Sequence, residues 1–383
     1  MKQLTSLLVA LFLLFTQSVF SQGDSTHVRL SVLTLEPGNE LYSTFGHSAI
    51  RFIDSTYHKD LVFNWGTFDF SDPDFYSKFV RGKLDYFLSV EPFESFLEVY
   101  KEEKRSIWEQ ELTISEGKKH ALIRALQNNL ADGNRYYKYD ILADNCTTRI
   151  RDLLFNNLKD LKVIDSLTDR GITYRNLLHE YLDEGAKPWS KLGIDILLGS
   201  KLDKPVSNYT AMFLPDYVMQ GLDMSNYSQT EEISPAKMIY SANPPDIKTW
   251  KYAPLMIFSI CCVLLFIISL LHKRWAVVIT KFFDSFFLYL TGILGIFLIF
   301  MWFGTDHTEC RNNFNLLWAL PTNFIVAFFI WKRPLWVRKY FFIVALIYGL
   351  FLLSWFWIPQ QINIALIPIV LFLALRCSKL ASN

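Results

Sequence analysis

The chain has 383 residues, of which 51% are hydrophobic, and a formal net charge of +1. A net charge this close to zero gives no electrostatic reason to expect a nucleic-acid partner. The apolar residues are concentrated after residue 254, whereas charged residues are frequent throughout 22–250. This division, together with the length, predicts one soluble domain followed by one membrane domain.

The first 21 residues have the three parts of a secretory signal. Lys2 supplies a positive charge, residues 7–15 form a short apolar run, and small or polar residues follow up to Ser21. This pattern predicts a signal peptide, 1–21, cleaved near Ser21. The alternative, an uncleaved anchor helix, is disfavoured because the apolar run is short.

Strand and helix patterns then fill the exported part, 22–250. Alternating apolar residues predict strands near 28–32, 48–53, 61–65, 83–90 and 106–113. Helical spacing predicts a helix over 116–130, and a second helix should begin at Cys146 after the capping residues Asp144 and Asn145. These elements predict an α+β domain, and Pro244 and Pro245 mark its linker into the membrane.

Five apolar segments make up the predicted transmembrane domain, 251–383, near 255–271, 282–303, 316–331, 340–358 and 364–376. At about 1.5 Å per residue, such segments cross most of an apolar core of about 30 Å. If 22–250 is exported, the cytoplasmic stretches carry nine Lys and Arg residues and the outer loops only Arg311. The positive-inside rule therefore predicts five helices in the inner membrane, a periplasmic soluble domain and a cytoplasmic C-terminus.

Cys146 is the only cysteine in the exported domain. A single thiol in an oxidising compartment, at the start of a predicted helix, indicates a nucleophile, because the helix N-terminus stabilises a thiolate. Asn145 and Thr147 are the predicted oxyanion or supporting residues, and Arg149 is a possible substrate contact. The alternative is a buried cysteine that packs as a small apolar residue. A disulfide with Cys310, in a predicted outer loop, would also remove the nucleophile.

His47 is the predicted base for this thiol. It follows Gly46 and opens a predicted strand, so that a base at a sheet edge would face a nucleophile at a helix N-terminus, as in papain-type enzymes. Asn64, on the next predicted strand, is the expected third residue, with Asp60 and His58 as alternatives.

The remaining histidines of interest lie outside this arrangement. His120 and His179 lie among charged neighbours on predicted helices and are expected to be solvated. His307 lies beside Asp306 in a predicted outer loop, where it would contact a substrate or simply be solvated. No ligand spacing predicts a metal site, and nothing predicts a cofactor.

The order of the two reactive residues points to a fold group. His47 precedes Cys146 by 99 residues, whereas cysteine comes first in ordinary papain-like enzymes. The order resembles the circularly permuted papain-like (NlpC/P60-like) group, which includes the lecithin:retinol acyltransferase-like enzymes. The predicted fold class is therefore an α+β permuted papain-like domain followed by an all-α transmembrane bundle of about five helices.

The whole chain also resembles a narrower family, the lipoprotein N-acyltransferases of Bacteroides-type bacteria, called Lnb. The resemblance rests on residues 44–51, 63–70, 139–154, 189–200, 212–215, 305–307 and 313–321. It implies that a fatty acyl chain moves from a phospholipid, through a thioester on Cys146, to the α-amine of the S-diacylglyceryl N-terminal cysteine of a lipoprotein. The implied partners are a phospholipid donor, a diacylated lipoprotein acceptor and membrane lipids.

Three other functions are compatible with the same residues. A papain-like cell-wall amidase or peptidase would use the Cys-His pair on a peptide in a polar groove. A phospholipase would pass the same thioester to water. A non-enzymatic membrane assembly or binding protein would need Cys146 only for packing.

Overall fold

The computed structural model describes residues 27–163, 165–226, 232–243, 249–332 and 334–382. The predicted signal peptide, 1–21, and the Pro244-Pro245 linker lie outside the described residues.

One antiparallel sheet of eight strands organises the described part of the N-terminal domain. Its strands are β1 (Val28–Leu35), β2 (His47–Asp54), β3 (Lys59–Phe68), β4 (Asp85–Pro92), β5 (Ile107–Thr113), β6 (Tyr136–Lys138), β9 (Glu232–Ile233) and β10 (Lys237–Tyr240), while β7 (Lys162–Val163) and β8 (Ser225–Asn226) form a separate pair. The strand order is β10-β5-β1-β2-β3-β4-β6, and β9 also pairs with β5. All five predicted strands are present as β1 to β5.

The helices of this domain connect and cover the strands. They are α1 (Phe75–Val80), α2 (Phe93–Glu102), α3 (Glu116–Leu130), α4 (Cys146–Asn157), α5 (Tyr174–Glu184), α6 (Pro188–Leu197), α7 (Asn208–Ala211) and α8 (Pro215–Asp223). Helix α3 has the predicted bounds, and α4 begins at Cys146 as the capping residues predicted. The α+β class of the domain is confirmed.

The two faces of the sheet bury different sets of side chains. Phe63 and Trp65 of β3 pack in one core with residues of α3 and α4. Val62 packs in a second core with residues of α2, on the opposite face. Because side chains alternate along a strand, Asn64 shares the α2 face with Val62, which brings it to the same side of the sheet as His47.

The C-terminal region is helical. It contains α9 (Ala253–Leu270), α10 (Arg274–Phe303), the short α11 (Asn323–Val326), α12 (Leu335–Leu353) and α13 (Ile367–Ser382), the last continuing a 3-10 turn at Ile364–Leu366. Among the described residues, four helices are long and apolar enough to cross a membrane, corresponding to α9, α10, α12 and α13. Arg376, one of the nine basic residues predicted to be cytoplasmic, is buried and pairs with Asp284 inside this bundle.

The predicted third span, 316–331, is not one continuous helix. It consists of 3-10 turns at Phe314–Leu317 and Ala327–Phe329 on either side of α11. Pro321 lies between the first turn and α11 and lacks the N–H that a continuous helix would need. Hydropathy recognised the apolar content of this segment but not its interrupted backbone.

This interrupted segment runs antiparallel to α10. Gly295 and Gly292 of α10 leave room for the backbone near Ala319 and Phe324, and Ser285 donates a hydrogen bond to the carbonyl of residue 327. Lys281 Nζ, near the start of α10, lies 5.1 Å from the ring centroid of Trp331. The irregular backbone is tolerated because it packs against protein.

The N-terminal domain is docked on the outer end of this bundle through α5 and α6. The amide of Asn315 donates to the carbonyl of Asp195 at 2.9 Å, and Asn363 donates to its carboxylate at 2.8 Å. Asp195 also pairs with the fully buried Arg175 at 2.9 Å. His179 is buried beside them, with Nε2 2.7 Å from Asp195 Oδ1. The prediction that His179 is solvated is therefore wrong, because docking of the two domains covers this face of α5; His120 is half-buried.

Candidate active site

His47 and Asn64 form a direct hydrogen bond between neighbouring strands. His47 Nε2 lies 2.7 Å from Asn64 Oδ1, and the Asn64 side-chain nitrogen donates to Glu91 Oε1 at 3.1 Å. The ring of Tyr100, from α2, stacks near that of His47 with centroids 6.4 Å apart. The imidazole is therefore held at one nitrogen and along one face.

Cys146 is the first residue of α4, as the sequence predicted. The Asn145 side chain accepts from the Thr148 backbone N–H at 2.8 Å, and the Thr148 hydroxyl accepts from the Asn145 N–H at 2.8 Å. This capping box fixes the start of the helix. The half-buried sulfur thus lies at the positive end of the helix dipole, beside backbone N–H groups that have no acceptor within the helix.

The two supporting residues have different surroundings. The Asn145 amide nitrogen donates to the carbonyls of Ile141 and Phe213, at 2.7 and 3.0 Å, so this side chain is committed to holding the cap in place. Thr147 lies closer to the Cys146 sulfur. Its hydroxyl is 3.1 Å from Ser48 Oγ on β2 and 3.7 Å from the Cys146 sulfur, which ties α4 to the strand that carries His47.

The charges of the Cys146 thiolate and the His47 imidazolium stabilise each other. Burial alone would raise the pKa of the Cys146 thiol, but the positive charge of His47 and hydrogen bonds from His47, the Ser48 backbone N–H and the Thr147 hydroxyl lower it to about 7. Burial acts to lower the pKa of His47, but the charge of Cys146 and hydrogen bonds to Cys146 and Asn64 outweigh this and raise it. Both shifts favour a thiolate–imidazolium pair near neutral pH.

Gly66 leaves the space between the two reactive side chains open. A methyl group placed on it would lie 3.8 Å from His47 Cε1 and 3.9 Å from Cys146 Cβ. Its φ is +98°, a conformation that L side chains rarely adopt, and it lies at a register shift in the pairing of β3 with β4. The bulge and the missing side chain together keep residue 66 from filling the space between His47 and Cys146.

The remaining predicted site residues, Arg149, Asp60 and His58, either interact with other side chains or are exposed. Arg149 forms two hydrogen bonds with Asp144, and its guanidinium lies 4.2 Å from the Tyr137 ring centroid. Asp60, an alternative third residue, instead pairs with Arg51. His58, the other alternative, is exposed in the turn between β2 and β3.

His307 lies on the contact between the bundle and α1. Its Nε2 is 3.1 Å from the Phe79 carbonyl oxygen, and its Nδ1 is 3.4 Å from Glu309 Oε1. The hydrogen bond to Glu309 and its negative charge raise the pKa of His307 despite partial burial. The expectation of a freely solvated loop is therefore wrong for this residue, because the docked α1 partly covers it.

Sequence reasoning missed three residues around the pair. Glu91 orients Asn64, and Tyr100 packs on His47. Tyr137 is buried in the same core that Cys146 packs against, and its hydroxyl has no hydrogen-bond partner among the described residues. Each acts through strand pairing or helix packing between distant segments, so no local motif marks it; only the register of β4 with β3 and β6 brings Glu91 and Tyr137 here.

The geometry also bears on a disulfide between Cys146 and Cys310 and on metal binding. Cys146 and Cys310 are both free thiols, and Cys310 is buried in a separate cluster with Met301. A disulfide between Cys146 and Cys310 is therefore absent in this structure. Within the described ranges, no group of three or more His, Cys, Asp or Glu side chains is placed to hold a metal ion.

Two family models match the chain and together cover most of it. The Lnb N-terminal periplasmic domain matches residues 15–180, a range that includes His47, Asn64 and Cys146. The Lnb transmembrane domain matches residues 246–382. Comparisons with curated proteins and with solved structures gave no match. The chain therefore belongs to the Lnb family and is a membrane protein in which that family's periplasmic domain is followed by its transmembrane domain.

Proposed function

We propose that the protein is a lipoprotein N-acyltransferase that works through a Cys146 thioester. The observation that carries the proposal is a thiol whose pKa is lowered to about 7 beside His47, in an Lnb periplasmic domain docked on an Lnb transmembrane domain. A membrane-docked site favours lipid substrates, because both donor and acceptor are anchored in the same bilayer and their encounter requires little further loss of freedom.

In the first step, the Cys146 thiolate attacks the carbonyl carbon of a phospholipid acyl ester. The backbone N–H groups at the start of α4 stabilise the oxyanion. The ester C–O bond then breaks, and the His47 imidazolium gives its proton to the leaving alkoxide, releasing a lysophospholipid. The acyl chain remains on the sulfur as a thioester.

In the second step, the free α-amine of the S-diacylglyceryl cysteine attacks the thioester carbonyl. Neutral His47 takes a proton from the attacking amine, and the C–S bond breaks to return the Cys146 thiolate. The products are an N-acylated lipoprotein and an enzyme in its starting state. Asn64 keeps the imidazole oriented through both steps.

The arrangement in the membrane is part of the proposal. Four long apolar helices and the antiparallel run of 314–331 along α10 support five crossings in total. An odd number of crossings places the C-terminus in the cytoplasm when the N-terminal domain is periplasmic. The catalytic thiol then faces the outer leaflet of the inner membrane.

The deciding experiment is intact-mass analysis of the N-terminal peptide of a resident lipoprotein. Cells carrying Cys146→Ser should yield this peptide with one acyl chain fewer than the wild type, at equal levels of the membrane protein. Cys261→Ser, at a cysteine in the membrane span α9, is the matched control and should leave the triacylated mass unchanged.

The other outcomes separate the competing functions. A triacylated peptide in the Cys146→Ser cells contradicts N-acyl transfer and favours the cell-wall hydrolase or a non-enzymatic role. Lysophospholipid release that does not depend on added diacylated lipopeptide would instead indicate a phospholipase.

A further inference from the structure

An aromatic row crosses three adjacent strands beside the site. Phe68 of β3 pairs in register with Tyr86 of β4, which pairs with Tyr137 of β6. Their ring centroids are 5.3 Å apart for Phe68–Tyr86 and 6.2 Å for Tyr86–Tyr137. We call these three residues the aromatic ladder. Residues paired in register point to the same face of a sheet, here the face that α4 covers.

The inner end of the ladder packs in the same core as Cys146. Tyr86 and Cys146 pack against the same core, which includes Tyr137. Gly66, two residues before Phe68, faces Cys146 directly. The Tyr137 hydroxyl is buried without a partner among the described residues, and such a group costs free energy that a ligand carbonyl would recover.

The outer end of the ladder continues into exposed aromatic residues. Phe68 contacts Phe70 and Phe75, with centroids 4.7 and 5.7 Å apart. Phe70, Tyr76 and Phe79 are 74%, 81% and 50% exposed. We call these three exposed residues the aromatic rim. A contiguous exposed apolar surface usually marks a site where a partner molecule or a membrane binds.

The position of the rim identifies its occupant. Helix α1, which carries Tyr76 and Phe79, contacts the loop that follows α10, because the Asp306 N–H donates to the Arg81 carbonyl at 2.9 Å. Asp306 lies only three residues after Phe303, the last residue of a membrane-spanning helix. The rim is therefore continuous with the outer end of the bundle, at the level where aromatic side chains enter the membrane interface.

Both signs of charge lie beside the rim. Asp69 and Asp74 are exposed on one side of it, and Asp72 pairs with Lys78. On the side toward the bundle, Arg81 and Lys83 are exposed and form no ion pair with any residue that the structure describes. Basic side chains next to exposed aromatic ones are typical of surfaces that contact both the phosphates and the acyl chains of phospholipids.

We infer that an outer-leaflet phospholipid reaches Cys146 across the aromatic rim and lays its acyl chain along the aromatic ladder, with the ester carbonyl at the Tyr137 hydroxyl. This inference rests on the proposed function and extends it by assigning the path and binding surface of the acyl donor. The acyl chain exchanges bilayer contacts for aromatic ones, so it never needs to enter water.

The first test compares two acyl donors on the purified full-length protein. Cys146 acylation is followed by intact mass, with palmitoyl phosphatidylethanolamine in nanodiscs or with water-soluble p-nitrophenyl butyrate. Tyr76→Ser and Phe79→Ser should each lower the ratio of the two rates about tenfold, the size expected for one lost aromatic contact. Tyr57→Ser, which removes a 72% exposed aromatic residue far from α1, is the matched control.

The results separate this inference from the proposed function. Equal rate ratios in wild type and rim variants would overturn the inference while leaving acyl transfer intact. Absence of acylation by nanodisc phospholipid in the wild type would count against the proposed function itself.

A second measurement does not depend on catalysis. The Cys146→Ser protein is placed in nanodiscs whose phospholipid carries a diazirine in the acyl chain, and labelled peptides are mapped after irradiation. Label in the 68–87 region is the expected result. Label confined to the membrane helices would overturn the inference even if the enzyme is active.

Discussion

The Asn64 Oδ1 atom lies 2.7 Å from His47 Nε2, and this contact selects the tautomer of the imidazole. An amide oxygen can only accept a hydrogen bond, so Nε2 carries the hydrogen and Nδ1 is left to exchange a proton with Cys146. The amide orientation that this requires is fixed in turn, because the Asn64 nitrogen donates to Glu91.

Asn64→Asp should therefore impair catalysis although it keeps an acceptor for His47. The new carboxylate would lie within hydrogen-bond distance of Glu91, and the two negative charges would repel each other. We expect kcat/KM for thioester formation to fall about 10- to 100-fold. Adding Glu91→Gln should restore most of this loss, because its amide can donate to the carboxylate.

The pH profile distinguishes this role from a purely structural one. In the double variant, a carboxylate beside His47 stabilises the imidazolium, so the alkaline limb of the profile should move to higher pH. Failure of Glu91→Gln to rescue Asn64→Asp would contradict the orienting role of Glu91.

Alkylation of Cys146 by iodoacetamide should depend on pH with a midpoint near the lowered pKa of about 7. The thiolate is the reacting form, so the rate falls as pH drops below 7 and levels off above about pH 8. Peptide mapping by mass spectrometry follows Cys146 separately from the other cysteines.

His47→Ala should move that midpoint upward. Without the imidazolium charge, burial is the largest influence on Cys146 and it raises the pKa of the thiol. At pH 7 the alkylation rate should then fall at least tenfold. A wild-type rate that still rises tenfold between pH 8 and 9 would show an ordinary thiol and contradict the pairing with His47.

Gly66→Ala should have its larger effect on the rate of thioester formation and its smaller effect on the free energy of unfolding. The methyl group would fit at 3.8 Å from His47 Cε1, but the backbone φ of +98° costs about 1–2 kcal/mol for an L residue, and the methyl narrows the space above the sulfur. Initial rates and the apparent Tm in detergent measure the two effects. Gly133→Ala, where the added methyl meets nothing within 4 Å, should change neither; equal rates in both variants would show that Gly66 does not border the reacting groups.

Tyr137→Phe should slow acylation without lowering stability. The ring keeps its packing, and the lost hydroxyl has no partner among the described residues, so the unfolding free energy should stay the same or rise by about 1 kcal/mol. If this hydroxyl binds the developing oxyanion, the rate should fall about 100-fold.

The matched control for this substitution is Tyr181→Phe. The Tyr181 hydroxyl donates to Asp216 at 2.7 Å, so its removal should lower stability and leave the acylation rate near wild type. The same pattern for both variants would contradict a role for Tyr137 in the reaction.

Asp195→Ala should destabilise the contact between the two domains. It leaves the fully buried Arg175 without one of its partners and removes the carboxylate that bonds His179 and Asn363. Breaking a buried pair of this kind costs about 3 kcal/mol or more. The apparent Tm of the full-length protein should fall clearly.

Asp183→Ala is the control for that loss. Asp183 pairs with Lys191 and Lys251 on a partly exposed surface, where ion pairs contribute about 1 kcal/mol or less. Equal changes in Tm for the two variants would show that the Asp195 cluster does not hold the domains together.

Local sequence signals predicted the parts of the site that depend on short stretches of chain. Alternation placed His47 and Asn64 on neighbouring strands, and the capping residues placed Cys146 at the start of α4. Four of the five apolar segments that hydropathy predicted are continuous long helices, with ends displaced by up to eight residues. In these cases the physical cause, backbone geometry or capping, operates within a few residues of the feature it determines.

The sequence by itself determined which residues form the candidate site, since the single thiol of the N-terminal domain, a strand-borne histidine and a membrane half were all visible in it. Only the tertiary structure decided what surrounds them: Glu91 behind Asn64, Tyr100 on His47, the aromatic ladder beside Cys146, the burial of His179 and the interrupted span at 314–331. These features arise from strand register and from packing between segments far apart in the chain. Such contacts depend on which surfaces meet once the chain has folded, and local hydrophobic periodicity does not specify which surfaces those are.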